Sequence, residues 1–237
     1  MGDVMKRYRN EWKYICDDRK LQLLESKLSP ILALDPHSNS DGVYVVHNLY
    51  LDDYYDTCAR KTEAGDYKRF KWRIRYYDSD ITTIRLELKE KLYGRCHKES
   101  CPLTYEEYEC ILNGNTSIIW KTDKMLLRRL CIDMMNKCFK PKMIVEYERV
   151  AYIDPSMNIR VTFDKNISVS YEIEKFLTMD YIRMPIQKVG SYVLEVKFDD
   201  ILPSYIKQIL DSDPKTQVSF SKYYSGRKAM EVIKWMK

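Results

Sequence analysis

The segment from residue 69 to residue 76 reads RFKWRIRY, and charged and apolar side chains alternate along it without a break. Because side chains on a β-strand point alternately to opposite faces, this pattern predicts a strand with one cationic face and one aromatic, apolar face. Residues 85–91 show a similar alternation, and one face there carries four charged side chains: Arg85, Glu87, Lys89 and Lys91. The two segments therefore predict strands of the same kind, each with a strongly charged side.

Charged faces recur on other predicted strands. Near the N-terminus one face carries Arg9, Glu11 and Lys13, and near the C-terminus Glu195 shares a face with Lys197. One interpretation is that each of these faces meets water, as one side of an antiparallel sheet commonly does. The recurrence of several cations with occasional carboxylates on at least four strands favours a sheet that is curled into a barrel with a polar interior.

The rest of the chain predicts further strands and several helices. Aromatic and β-branched runs predict about eight strands, including residues 8–16, 43–51, 67–77, 82–91, 142–152, 158–164 and 192–198. Apolar spacing, a capping box at Thr104–Glu107 and a proline at a first turn predict helices at about 17–32, after 104, at 122–137, at 203–210 and from 221 onward. No repeat or linker divides the chain. We therefore expect residues 1–237 to form a single α+β domain, an antiparallel β-barrel with peripheral helices.

The composition excludes several classes of protein. With 45% hydrophobic residues, the chain of 237 residues is not typical of a disordered protein. The net charge of +5 is too small to indicate a nucleic-acid or membrane ligand by itself. Glutamates also lie among the basic residues of the predicted strands, where they would repel the backbone of a nucleic acid. We therefore expect no nucleic-acid partner.

Apolar runs and cysteine spacing bear on location and on metal chemistry. The apolar runs are too short to cross a bilayer, and the polar residues 1–9 contain no signal-peptide core, so a cytoplasmic protein is expected. A membrane-bound partner is possible for such a protein but is not indicated by the sequence. The seven cysteines include no Cys-x-x-Cys pair and the three histidines are scattered, so we expect reduced cysteines and no zinc site.

A barrel interior lined by arginine and lysine side chains would repel itself unless a polyanion filled it. Arginine binds phosphate through its bidentate fork and lysine binds it as a point charge. The carboxylates on the same faces then suit a divalent cation placed beside the phosphate oxygens. The charge pattern therefore predicts a site for an oligophosphate and a metal ion.

Eight motifs, in order along the chain, resemble the VTC domain. They are RNEWKY (9–14), LYLD (49–52), RFKWRIRY (69–76), LELKEK (86–91), VEYERVAY (145–152), IRVTFD (159–164), VLEVKF (193–198) and SFSKY (219–223). VTC domains are polyphosphate polymerases of the triphosphate tunnel metalloenzyme (CYTH-like) superfamily. The resemblance extends from about residue 8 to residue 226, which is nearly the whole chain.

The resemblance implies a role for twelve residues. The expected phosphate-binding residues are Lys13, Lys61, Arg73, Arg75, Lys89, Lys98, Tyr147, Arg149, Arg160, Ser221 and Lys222, and the expected metal ligand is Glu195. Among them, Lys222 corresponds to the catalytic lysine of the family, and we expect it to act with Arg73, Arg75 and Arg149. One departure is Ser219, which stands where some members carry a second lysine.

The function that the resemblance implies is transfer of the γ-phosphate of ATP onto a growing inorganic polyphosphate chain, with Mn²⁺ or Mg²⁺ as cofactor. ATP and polyphosphate are the expected partners. Two alternatives stay open: a tripolyphosphatase or nucleoside triphosphatase of the same fold, and a non-catalytic polyphosphate-binding subunit.

Overall fold

The computed structural model describes residues 6–211 and 217–235. Within these residues, one antiparallel sheet contains eight long strands: β1 Asn10–Asp17, β3 Val43–Asp52, β4 Lys68–Tyr77, β5 Asp80–Leu92, β6 Arg95–Pro102, β7 Lys140–Asp154, β8 Ile159–Ser170 and β10 Ser191–Phe198. Their order across the sheet is β1-β10-β8-β7-β3-β4-β5-β6. Two strands of two residues each, β2 Ala33–Leu34 and β9 Met184–Pro185, pair with β7 and β8.

The sheet curls until its two edge strands meet, but the ladder between them is almost absent. Among the described residues, β6 joins the chain just before β1 through one bridge, in which Arg9 and Cys96 exchange two backbone hydrogen bonds of 2.8 Å. The expected antiparallel, tunnel-like fold is confirmed. The sheet is not closed into a barrel by a continuous ladder, because the bridge between Arg9 and Cys96 is the single pair that joins its edges among the described residues.

In the described part of the chain, six helices surround the sheet: α1 Asp18–Leu28, α2 Thr57–Glu63, α3 Tyr105–Leu112, α4 Met125–Lys137, α5 Ser204–Asp211 and α6 Lys222–Trp235. The predicted capping box is present, since the Thr104 hydroxyl accepts from the Glu107 amide at 3.1 Å and the Glu107 carboxylate accepts from the Thr104 amide at 2.8 Å. Helix α1 ends at Leu28, earlier than predicted, because Pro30 has no amide hydrogen with which to continue the helical hydrogen bonds. No helix in the described part of the chain is long and apolar enough to span a membrane.

The apolar faces of the strands pack outward against the helices. Trp72, Ile74 and Leu88 are fully buried in one cluster with Leu127 and Leu130 of α4. A second cluster, on the outer face of β8 and β10, contains Phe163, Val196 and Phe198 together with Leu24 and Leu28 of α1. Because the apolar side of each strand faces the helices, the charged side faces the interior of the curled sheet.

Candidate functional site

The charged faces of the strands enclose a cavity of about 760 Å³. Its remaining wall is the segment from Gln217 to Lys222, which precedes and begins α6. Fourteen of the lining residues are arginine or lysine and two are glutamate. The cationic residues come from seven strands, from the segment just before β1 and from the start of α6. They are Arg7, Arg9, Lys13, Arg69, Lys71, Arg73, Arg75, Lys89, Lys91, Lys98, Arg149, Arg160, Lys197 and Lys222.

Two carboxylates share three lysines at one side of the cavity. In the β1–β10 ladder Lys13 is opposite Glu195, and Glu11 is opposite Lys197. The Lys13 ammonium lies 3.2 Å from an oxygen of each glutamate, while Lys197 pairs with Glu195 and Lys89 pairs with Glu11, both at 2.5 Å. Burial alone would raise the pKa of Glu195, but Lys197 and Lys13 outweigh it and hold that pKa well below its usual range. The pKa of Glu11 is lowered in the same way, since Lys13, Lys89 and Lys197 outweigh its burial, so both glutamates are ionised.

A third carboxylate orients the paired arginines of β4. Glu87 is 1% exposed and accepts from Arg73 at 2.6 Å and from Lys98 at 2.9 Å. Arg75 donates to the side-chain oxygen of Asn48 at 2.7 Å and to the Tyr147 hydroxyl at 3.0 Å. Both guanidinium groups are thus held in place by the protein itself.

The fourth carboxylate, Asp164, joins β7 to the start of α6. It is opposite Arg149 in the β7–β8 ladder and accepts from that guanidinium at 2.6 and 2.9 Å. The Lys222 ammonium donates to the same carboxylate at 2.5 Å and lies 4.4 Å from the centre of the Tyr147 ring. Burial would raise the pKa of Tyr147, but Arg149, Arg75 and Lys222 lower it to about 8. The surroundings of Lys222 are therefore strongly cationic.

The first turn of α6 faces the cavity. Ser221 precedes the helix, and its hydroxyl accepts from the Tyr224 amide at 3.3 Å as a cap. The same hydroxyl accepts from the Lys71 amine at 2.7 Å. Helix N-termini favour anions because their amides and dipole present positive charge. The turn that carries Ser221 and Lys222 thus adds to the positive potential of the cavity.

The structure brings eleven of the twelve predicted site residues to this cavity. They are Lys13, Arg73, Arg75, Lys89, Lys98, Tyr147, Arg149, Arg160, Glu195, Ser221 and Lys222. Arg160 lies beside Tyr44, whose hydroxyl it contacts at 2.6 Å. The exception is Lys61, which does not line the cavity although its neighbour Thr62 does. Lys61 and Thr62 lie on helix α2, on which consecutive side chains point in different directions.

Sequence reasoning missed five residues that shape the site. Glu11, Glu87, Lys71 and Lys197 stand on the charged faces that the alternation identified, but the resemblance assigned them no role. Asp164 shares a strand face with Arg160 and Thr162, so the same period of two could have found it.

The donor set near Glu195 fits a hard divalent cation. Glu195 and Glu11 supply two buried carboxylates on either side of one ammonium, and Mg²⁺ is commonly bound by one or two carboxylates together with phosphate oxygens and water. A different cluster of ligand-type side chains, Glu90, His97 and Glu99, lies on β5 and β6. Its carboxylates pair with Lys6 and Arg129, so the structure gives no separate sign of a metal there.

Comparison with known proteins identifies the family. The sequence profile of the VTC domain matches residues 8–231. No curated protein matches this sequence.

Solved structures similar to this one include a candidate adenylyl cyclase from Hippeastrum, which is described as having a dominant triphosphatase activity. It is 17% identical, the match covers 94% of this chain and 95% of that one, and the TM-score is 0.56. A candidate adenylate cyclase from Bacillus halodurans is 12% identical with a TM-score of 0.49, and the match covers 97% of this chain and 89% of that one. At such low identity, the similarity to the Hippeastrum protein shows a shared fold and nothing further.

Proposed function

The chain belongs to the VTC domain family, and from that membership and the charge of the cavity we propose that it is a polyphosphate polymerase. It transfers the γ-phosphate of ATP onto a growing inorganic polyphosphate chain. The observation that carries the proposal is the set of fourteen cationic side chains around one cavity, against two lining glutamates. These cations outnumber the charges on a single triphosphate, which favours a longer polyanion as ligand.

Phosphoryl transfer requires mainly positioning and charge neutralisation, and the cavity offers both. Arg73 and Arg75 present planar guanidinium forks that Glu87, Asn48 and Tyr147 already orient, so little side-chain freedom is lost when they bind phosphate oxygens. An oxygen of the terminal phosphate of the polymer forms the new bond to the γ-phosphorus. The bond from that phosphorus to the bridging oxygen breaks, and ADP leaves with the electron pair. The protein itself supplies no nucleophile.

Lys222 is the residue to which we assign stabilisation of the transition state. It stands at the first position of α6, beside the ion pair of Asp164 and Arg149. A donor placed where negative charge develops is typically worth about 10²-fold or more in rate. A divalent cation held by Glu195 and Glu11, Mn²⁺ or Mg²⁺, would supply further neutralisation of the phosphate oxygens.

Hydrolysis of a triphosphate is the second candidate function. It needs the same positioning of the γ-phosphate, with water in place of the polymer end. The observation that favours it is the shared fold with the Hippeastrum protein and its described triphosphatase activity.

Incubation of the chain with ATP and Mn²⁺ or Mg²⁺ distinguishes these functions. The products are separated on a gel stained for polyphosphate, and orthophosphate is measured in parallel. A polymerase gives a ladder of polymers, whereas orthophosphate without polymer indicates a hydrolase and no product at all indicates a binding subunit. The Lys222→Met variant should lose the ladder. Lys228→Met is the matched control on the same helix, because Lys228 is outside the cavity and largely exposed.

A further inference from the structure

The hydrogen-bond partner of Lys71 differs from the partners of the neighbouring lysines Lys13 and Lys89. It lies on the charged face of β4 between Arg69 and Arg73, and its amine donates to the Ser221 hydroxyl at 2.7 Å. Lys13 and Lys89 each pair with a glutamate. No carboxylate of the described residues forms an ion pair with Lys71. A neutral hydroxyl is thus the partner of this amine.

The strands around Lys71 present further cations. Lys89 is directly opposite it in the β4–β5 ladder, and Lys13 on β1 acts on it across the cavity. Arg69 and Arg73 flank it on the same face of its own strand. Each of these charges disfavours an ammonium at this position.

Among the described residues, no carboxylate of the helices or of β3 forms an ion pair with Lys71, whose amine donates to the Ser221 hydroxyl. On α6, Ser221 is neutral and Lys222 pairs with Asp164. On α2, the nearby Cys58 thiol is neutral because burial raises its pKa. The Asp52 carboxylate at the end of β3 accepts from the Cys58 and Ala59 amides and from the Tyr223 hydroxyl, at 2.9, 3.1 and 2.9 Å. That carboxylate is therefore occupied by other donors.

Burial and the surrounding cations have a definite consequence for protonation. Burial contributes most, followed by Lys13, Lys89 and Arg69, and together they lower the pKa of Lys71 to about 7. Near neutral pH, a substantial fraction of the empty cavities therefore holds this side chain as a neutral amine. A polyanion in the same cavity would reverse the sign of the local potential and favour the ammonium.

We propose that Lys71 is a further phosphate-contacting residue, and that it takes up one proton from solvent when an oligophosphate enters the cavity. The amine becomes an ammonium and pairs with a phosphate oxygen, and no covalent bond to phosphorus forms. The proposal rests on the proposed function, because it requires that the cavity bind oligophosphates. It adds a pH dependence of affinity that comes from Lys71 and that the permanently charged arginines cannot supply.

The size of the effect follows from proton linkage. With a pKa of about 7 in the ligand-free protein, Lys71 is about one-tenth protonated at pH 8, so this residue should take up about 0.9 proton when an oligophosphate binds at that pH. Affinity should then fall nearly tenfold for each pH unit above 8 as far as this residue is concerned. An arginine at the same position stays charged in both states and takes up no proton.

Calorimetric titration with inorganic triphosphate in EDTA tests the proposal. Proton uptake is measured at pH 8 in two buffers of different ionisation enthalpy, for the wild-type chain, Lys71→Arg and Lys71→Met. We expect the wild-type chain to take up about 0.9 proton more than Lys71→Arg, and its affinity to fall relative to that variant between pH 8 and 9. Lys71→Met should also lack this uptake and should bind more weakly than the wild-type chain at pH 6, where the wild-type lysine is charged.

Equal proton uptake by the wild-type chain and Lys71→Arg would overturn the inference and leave the proposed function standing. A wild-type chain that bound no triphosphate would overturn both. Thermal unfolding verifies that each variant is folded. If Lys71→Met does not fold, the comparison of the wild-type chain with Lys71→Arg still tests the proposal, because arginine preserves a cation at this position.

Discussion

Replacement of Asp164 by asparagine should lower the folding stability of the protein and increase the stabilisation that triphosphate provides. Asp164 is fully buried and neutralises both Arg149, at 2.6 Å, and Lys222, at 2.5 Å. Asparagine keeps the shape of the side chain but removes its charge. The substitution thus leaves two buried cations without their shared carboxylate.

The expected loss of stability follows from the pKa and from the burial of this side chain. Burial would raise the pKa of Asp164, but Arg149 and Lys222 lower it from its ordinary 3.8 to about 2, which corresponds to about 2 kcal/mol of folding free energy at neutral pH. Because the pKa is lower in the folded state, this contribution is present above about pH 4 and disappears as the pH falls towards 2. Removal of one partner of a buried ion pair typically costs about 3–5 kcal/mol. We therefore expect Asp164→Asn to lose about 2–5 kcal/mol at pH 7.

Urea unfolding at pH 7, with and without inorganic triphosphate in EDTA, measures both effects. Triphosphate should stabilise Asp164→Asn more than the wild-type chain, because the anion replaces the lost carboxylate and binds the folded state. The matched control is Asp133→Asn, since Asp133 pairs with Lys137 on α4 and lies outside the cavity. The reasoning is refuted if triphosphate stabilises Asp164→Asn no more than it stabilises the wild-type chain.

Three further variants test individual parts of the site. The double variant Arg73→Ala/Arg75→Ala should lose most of the rise in melting temperature that triphosphate causes in the wild-type chain; an unchanged rise in thermal unfolding would exclude these arginines as phosphate ligands. Glu195→Gln should abolish polymer formation while metal-free triphosphate affinity survives or increases, because a negative charge leaves the cavity; unchanged turnover would contradict the metal assignment. Lys222→Ala should lower the rate of transfer about 10²-fold or more at unchanged fold, and a gel assay with full activity would remove its proposed role.

Much of the fold could be predicted because it depends on a local period of two. The alternation in residues 69–76 correctly indicated which side of β4 packs under the helices and which side faces the cavity, and Trp72 and Ile74 are buried as expected. Closure of the sheet depends instead on one long-range bridge between Arg9 and Cys96, for which the sequence carries no local signal.

Neither helix α2 nor the partners of the charged side chains were predicted from the sequence. The helix has seven residues, too few for a clear apolar period, and its first amides are capped by the side chains of Asp52 and Asp53 and not by Asp56 directly before it. Its presence explains why Lys61 does not line the cavity. Asp164 was overlooked because its function depends on Arg149 and Lys222, which reach it only in the folded chain.

The fate of the γ-phosphate tests the central claim most directly. The chain is incubated with ATP and Mn²⁺, the reaction is stopped with EDTA, and the phosphorus is followed by ³¹P NMR. The account predicts signals of internal phosphoanhydride groups that grow as ATP is converted to ADP. Conversion of ATP to ADP with orthophosphate as the sole other product would contradict it.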